Sequence, residues 1–232
     1  MLPNRLRLFG ETLTLKYPDD PTLISDVINI LLDDEYGLRN IRPPVSTVVD
    51  IGANIGLFSL WARHHFPTAT IHAYEPNDAI WDFTVRNLRK AKVVLFNEGV
   101  GSEESAGTLI LEHSSRLVAT KKDSRGSVKL TGIDTVIERL EGKHLDLLKI
   151  DCEGAEWDIF LRKDAFRTVR HVRMEYHLDQ RHNMVSFEAV TSKLGFKITR
   201  LIPNRYFGIA WLENVGLVDL GARWQSSDMK TG

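Results

Sequence analysis

The spacing of apolar positions changes period several times along this chain, and each change predicts an element. Residues 6–16 alternate, with Leu6, Leu8, Thr12, Leu13 and Leu15 set around Gly10-Glu11, which predicts a small hairpin. Over residues 21–36, Leu23, Ile24, Val27, Ile28, Ile30, Leu31 and Leu32 recur at helical spacing behind Asp20-Pro21. Arg42-Pro43-Pro44 is a stiff entry to the next segment. The period then shortens. Residues 47–51 form a β-branched run of the kind buried in parallel sheets. Residues 55–66 read as a helix, 70–74 as a second strand, 78–90 as a second helix and 93–96 as a third strand. This alternation predicts an α/β fold with a doubly wound, Rossmann-like parallel sheet.

Residues 102–132 break the rhythm. Residues 108–111 and 127–130 read as two strands joined by a polar loop, a β-hairpin inserted before the fourth core strand at 145–150. Residues 169–176 read as the fifth strand, 184–194 as a helix stopped by Gly195, and 196–202 with 206–212 as a closing antiparallel pair. The expected organisation is one domain over 1–232. It comprises an N-terminal hairpin and helix (1–44), an α/β core carrying the insertion (45–224) and a polar tail (225–232).

Composition changes this picture little. The 232 residues are 43% hydrophobic and 26% charged, the balance of an ordinary globular protein. Thirty Lys and Arg against 31 Asp and Glu leave a net charge of -1, so no whole-chain attraction to nucleic acid or an anionic membrane is expected. No run approaches the ~20 apolar residues of a membrane span. The first residues lack a signal-peptide core, and the lone Cys152 cannot form an internal disulfide, so a cytoplasmic location is expected. The oligomeric state is left open.

The chemistry begins at Asp50-Ile51-Gly52-Ala53-Asn54-Ile55-Gly56, where the first parallel strand turns into a helix. Glycines there let backbone approach a ligand closely, and the helix start offers unpaired N–H groups. Glu75 ends the second strand, at the crevice of a doubly wound sheet, where its carboxylate suits two ribose hydroxyls. A dinucleotide loop would carry glycine where Asn54 stands, and an acid at Asp50 would repel pyrophosphate. The same acid suits S-adenosylmethionine, which carries an ammonium and a sulfonium. A strand–turn–helix whose Gly52 and Gly56 serve packing alone is the alternative.

Four segments resemble the FkbM family of methyltransferases: Val49-Asp50-Ile51-Gly52-Ala53-Asn54-Ile55-Gly56, Ala73-Tyr74-Glu75-Pro76-Asn77, Leu148-Lys149-Ile150-Asp151-Cys152-Glu153-Gly154-Ala155-Glu156, and Met174-Glu175-Tyr176-His177. The third is the most specific. Cys152 stands where the family usually has an aliphatic residue, consistent with a small buried hydrophobe. The resemblance implies a seven-stranded class I methyltransferase sheet whose last strand is antiparallel. It also implies S-adenosylmethionine as cofactor and methyl transfer, usually to oxygen of a sugar, a lipid-linked glycan or a secondary metabolite.

Methyl transfer to a hydroxyl needs in-line positioning and a base. Asp151 and His177 end the fourth and fifth strands. The expectation is that His177 accepts the acceptor's proton while Asp151 orients it, binds the hydroxyl or acts as base itself. Glu153 and Glu156 come next at a helix start; Glu153 divides between structural and site roles, and Glu156 reads as a local cap or partner. Lys149 should pair with Glu153 or Glu175, because an unpaired buried ammonium is costly. Asp151, Glu153 and His177 also offer donors to a divalent metal, but without diagnostic spacing a metal-free site is expected. Asn97, Gly99 and Val100 are expected to border the adenine. Tyr36 is expected at the methionine carboxylate or in the core. Trp157, Trp211 and Phe207 read as core, Lys121 to Arg125 as a solvated hairpin tip, and Arg200 and Arg205 as flanking the acceptor entrance. The partner is therefore a small-molecule or glycan acceptor. N-methylation of an amine or amide, a nicotinamide-dependent oxidoreductase, and a non-catalytic scaffold keeping the cofactor fold are the competing functions.

Overall fold

The computed structural model describes residues 4–111, 118–142 and 144–217. The chain opens with a hairpin of β1 (Arg5–Leu8) and β2 (Glu11–Thr14), turned at Phe9-Gly10. α1 (Leu23–Asp26) continues into a π-helical turn over Val27–Leu32, so the first helix ends before Glu35 and Tyr36. The core then runs β3 (Thr47–Ile51), α2 (Leu57–His65), β4 (Thr70–Tyr74), α3 (Asp78–Leu88) and β5 (Val94–Phe96). After β6 (Gly99–Gly101) come β7 (Ser105–Leu111), β8 (Val118–Lys122) and β9 (Val128–Gly132). The chain continues through α4 (Ile133–Glu138), β10 (Leu145–Ile150), α5 (Glu156–Ile159), β11 (Val169–His177), α6 (Met184–Lys193), β12 (Phe196–Pro203) and β13 (Phe207–Asn214).

Seven strands form the central sheet in the order β12-β13-β11-β10-β3-β4-β5, and β13 alone runs against the others. The strand order reverses between β3 and β10, and a ligand crevice lies at such a switch point, outside the strand C-termini. The inserted region departs from the expected simple hairpin. β7 pairs with both β8 and β9, and β9 pairs with β6, giving a separate four-stranded sheet in the order β6-β9-β7-β8. Val118–Lys122 is a strand where the apolar pattern predicts loop. It is an edge strand of this sheet, held by backbone pairing with β7.

The period-2 alternation of the buried strands sorts side chains onto the two sheet faces. Val48, Leu147, Ile209 and Trp211 join one core with the N-terminal segment and α2. Val49, Ile51, Leu148, Ile150, Val172, Met174, Ala210 and Leu212 join the other, with Val136 of α4 and Phe187 of α6. The parity that sends Val48 and Leu147 to the first face also sends Asp50, Lys149, Asp151, Arg173, Glu175 and His177 there. Residues 23–41 cover that face. Trp61 Nε1 donates to Asp34 at 2.7 Å and Trp211 Nε1 donates to the Glu35 carbonyl at 2.7 Å. Gly37 lies so close to Trp211 that a Cβ there would sit 2.3 Å from its ring. These anchors deliver Glu35 and Tyr36 to the strand tips. Among the described residues no helix is long and apolar enough to cross a membrane.

Candidate active site

The loop after β3 is shaped by its backbone. Gly52 has φ +76, and a Cβ on it would meet the Asp151 carbonyl oxygen at 1.8 Å, so any side chain would push the two strand tips apart. Asn54 also lies in the left-handed region, at φ 51. That turn aims its N–H at Glu75 Oε2, 2.8 Å away, while Asn77 N–H donates to Oε1 at 2.8 Å. Glu75 is 6% exposed. Burial pushes its carboxyl up and the two N–H donors pull it back, leaving it at about 7. A groove of about 60 Å³ runs beside it, lined by Gly52, Asn54, Tyr74, Glu98, Gly99 and Val100 among others. Glu98 is an addition to the residues singled out in the sequence. Burial raises its carboxyl, but Arg139, Lys129 and Thr131 outweigh this and lower it to about 2. Cys152 also lines the groove, its thiol pushed upward by burial.

Three expected cofactor contacts take other positions. Asp50 is fully buried beneath the loop, not on the crevice wall: Ser59 Oγ donates to it at 2.7 Å and Lys149 Nζ lies 3.4 Å away. The cause is strand parity, which points Asp50 at α2. Gly56, at φ 91, begins α2 against Leu88, 2.7 Å from where its Cβ would be, and lines neither cavity. Asn97 donates to Asp78 Oδ1 at 2.7 Å and likewise lines neither.

The groove meets a second cavity of about 310 Å³ whose walls also include Gly52, Asn54, Asp151 and Glu153. Its other walls come from distant segments: Asp26, Glu35 and Tyr36 from the N-terminal cover, Glu175 from β11, and Asn204 and Phe207 from the β12–β13 turn. Tyr36 is buried, and its hydroxyl donates to Asp151 Oδ2 at 3.2 Å. Lys149 does not pair with Glu153 or Glu175. Its register opposite Asp50 places it between Asp50, at 3.4 Å, and Asp151, at 3.3 Å, and it also donates to the Gly52 carbonyl at 2.6 Å. Burial disfavours the ammonium, but the two carboxylates outweigh that and hold it charged. Glu35 is raised to about 8, by burial first and then by Glu175, Asp151 and Asp26, with Lys149 pulling the other way.

His177 does not have the chemistry of a neutral base. Its Nδ1 lies 3.2 Å from Glu156 Oε1, and its Nε2 lies 3.1 Å from Glu153 Oε2 and 3.2 Å from Glu175 Oε1. Burial lowers the imidazolium, but the three carboxylates overcome this and push it up to about 12, so the ring holds its proton at neutral pH. Asp151, expected to orient the ring, turns instead to Lys149 and Tyr36. The orienting group is Glu156. It is fully buried and accepts from Gly154 N–H at 2.9 Å and His177 N–H at 2.7 Å, so its contacts extend beyond local capping. Glu175, in the same cluster, is raised to about 7, by burial first and then by Asp151, with His177 opposing. Phe207 is 40% exposed and stacks near His177 with centroids 6.2 Å apart, on the cavity wall and not in the core. Trp157 donates to the His177 carbonyl at 2.8 Å, and Arg200 lies over Trp211 at 4.5 Å. In the hairpin tip, the side chains of Lys121 and Lys122 lie outside the described residues.

A mostly parallel seven-stranded sheet with one antiparallel strand is the Rossmann-like fold of class I methyltransferases. Sequence relatives establish the family. Residues 50–201 match the sequence profile described as the Methyltransferase FkbM domain, and the chain belongs to the FkbM methyltransferase family. Methyltransferase sdnD of Sordaria araneosa is 30% identical over 211 residues, covering 74% of this chain and 81% of that protein. Methyltransferase 1 of Beauveria bassiana is 26% identical over 196 residues, covering 72% and 74%. Among solved structures, magnesium protoporphyrin IX methyltransferase from Synechocystis, with SAM bound, superimposes with a TM-score of 0.48 at 11% identity, over 83% of this chain and 78% of that one. Family membership sets aside the nicotinamide-dependent alternative.

Proposed function

We propose that this chain transfers the methyl group of S-adenosylmethionine to a hydroxyl of a sugar, glycolipid or secondary metabolite. The supporting observation is that the groove beside Glu75 and the larger cavity share the walls Gly52, Asn54, Asp151 and Glu153. A molecule lying along the groove presents its far end to the cavity. The residues fit the cofactor. The Glu75 carboxylate, pre-set by two backbone N–H donors, keeps lone pairs for ribose hydroxyls. Gly99 and Val100 would border the adenine, Gly52 and Asn54 would follow the methionine portion, and Tyr36 and Asp151 would stand at its end. When bound, S-adenosylmethionine supplies an electrophilic methyl group on a positively charged sulfur.

The cavity's acids complement that positive charge, and Lys149 keeps Asp50 and Asp151 from repelling each other. We assign the base to Glu35. Its carboxyl lines the cavity and is held near neutral, where a group can both lose and accept a proton. The Asp26, Glu35, Asp151, Glu153 and Glu175 carboxylates also favour a second reading, N-methylation of a basic acceptor, whose charge they would attract.

The test is calorimetry with S-adenosylhomocysteine, followed by transfer of labelled methyl to panels of glycosides, phenols and amines. Binding plus label on oxygen supports the first reading. Label on nitrogen alone selects the second, and no heat with cofactor or product removes both.

A further inference from the structure

Three donor side chains from two elements converge at the edge of the cavity. Glu153 comes from the loop after β10, and Glu175 and His177 come two residues apart on β11, which puts both on one sheet face. One donor atom from each lies within 4.8 Å of the others. His177 Nε2 stands 3.1 Å from Glu153 Oε2 and 3.2 Å from Glu175 Oε1. Adjacent ligands on an octahedral ion with bonds near 2.1 Å are about 3 Å apart, so these separations match two edges of such an octahedron.

The ring's other nitrogen supports this. Nδ1 faces Glu156 Oε1, and that carboxylate is fully buried and tied to two backbone N–H groups, which fixes the ring's orientation. A carboxylate behind a histidine is the outer support of metal-bound imidazoles. It would keep the proton on the far nitrogen while an arriving cation displaces the proton from the near one, so binding would release a proton to solvent. The near side opens to the cavity, since Glu153 and Glu175 line it.

We propose that Glu153, Glu175 and His177 Nε2 form one face of a divalent-cation site of the manganese or magnesium type. Three protein ligands leave about three octahedral positions open. Those positions face the cavity, where an acceptor hydroxyl could occupy one, be oriented towards the methyl group and lose its proton more readily. Only this last consequence rests on the methyltransferase reading. The donor set differs from the one the sequence suggested: Asp151 is engaged by Lys149 and Tyr36, and Glu175 replaces it.

The probe is Mn²⁺ alone, added to the full chain. We expect one ion per chain by electron paramagnetic resonance titration, with spin-echo modulation from one imidazole nitrogen, and a higher Tm for the wild type. Glu175→Gln and His177→Gln should each weaken Mn²⁺ binding at least about tenfold, and the second should abolish the nitrogen modulation. Glu11→Gln, which removes a carboxylate paired with Lys90 on the N-terminal hairpin and lining neither cavity, should leave Mn²⁺ affinity unchanged. The proposal is overturned if wild-type protein binds no stoichiometric Mn²⁺, lacks nitrogen modulation, or binds equally well after Glu175→Gln. Those outcomes would make the triad an imidazolium ion-pair cluster. Wild-type tests need no variant to fold. Binding of S-adenosylhomocysteine is scored separately, so a protein that takes the product but not the metal loses this proposal alone.

Discussion

The groove beside Glu75 and the cavity beyond it differ in construction. The groove is assembled from four short continuous segments: the loop after β3, the tip of β4, the turn into β6 and the loop after β10. Of the two acids that line it alone, Glu75 is tied by backbone N–H groups and Glu98 is neutralised by Arg139 and Lys129. The cavity gathers residues from 26 to 209, and among the described residues its walls set Asp26, Glu35, Asp151, Glu153 and Glu175 against Lys149. Backbone geometry fixes the groove, so its specificity tolerates little change. The cavity is an electrostatic device set by side chains from several elements, and Asp26, Glu35 and Glu175 line it without lining the groove.

The largest expected effect tests the cavity. Glu35→Gln should lower turnover by about 10²–10⁴-fold with little change in S-adenosylhomocysteine affinity, read by steady-state kinetics beside calorimetry. The same variant carries a stability signature. Glu35 keeps its proton in the folded protein up to about 8, against 4.5 for an ordinary glutamate, under burial and the charges of Glu175, Asp151 and Asp26, with Lys149 opposing. Its contribution is therefore complete below 4.5 and is lost as pH rises towards 8. Glu35→Gln should raise Tm relative to wild type at about pH 8.5 and change it little at about pH 5. A uniform Tm shift at both would contradict the titration.

Next comes the pair beneath both regions. Lys149→Met leaves Asp50 buried without its cation and should destabilise the fold by about 3–5 kcal/mol in denaturant titration. Adding Asp50→Asn should restore part of that, because no charge is then stranded. A smaller effect separates groove from cavity. Glu75→Ala should weaken S-adenosylhomocysteine by about 1.5–3 kcal/mol, or roughly 10–150-fold, and spare the thermal effect of Mn²⁺. The smallest is Asn97→Ala. Its side chain holds Asp78 and faces no cavity, so product affinity should change by no more than about twofold. A large loss there would move the adenine site towards Asn97.

Much of the frame is legible in the order of residues alone. The strands read at 47–51, 70–74 and 145–150 coincide with β3, β4 and β10 to the residue, because buried parallel strands leave continuous β-branched or leucine-rich runs. Glu75 is legible too, since its position follows from ending β4 at the crevice. Pairing is not. The partner of Lys149 is set by its register opposite Asp50, and register is absent from local sequence. Glu35 escapes notice because it comes after the first helix, with nothing nearby to indicate that Trp211 would anchor it over the strand tips. A signal does exist for Glu175 and His177. With His171 and Arg173 they recur at every second position, opposite Val172, Met174 and Tyr176, and so mark one polar face.

The sequence by itself determined the order of elements, the backbone turn at Gly52, the acid at the tip of β4 and the family. These depend on contacts within a few residues or on a motif whose spacing is its meaning. Only the tertiary structure decided the protonation of His177, the burial of Asp50 and the acidity of the cavity. Each depends on how many charges from remote segments share one small, poorly hydrated volume, and the fold creates that proximity by laying residues 23–41 over the tips of β3, β10 and β11.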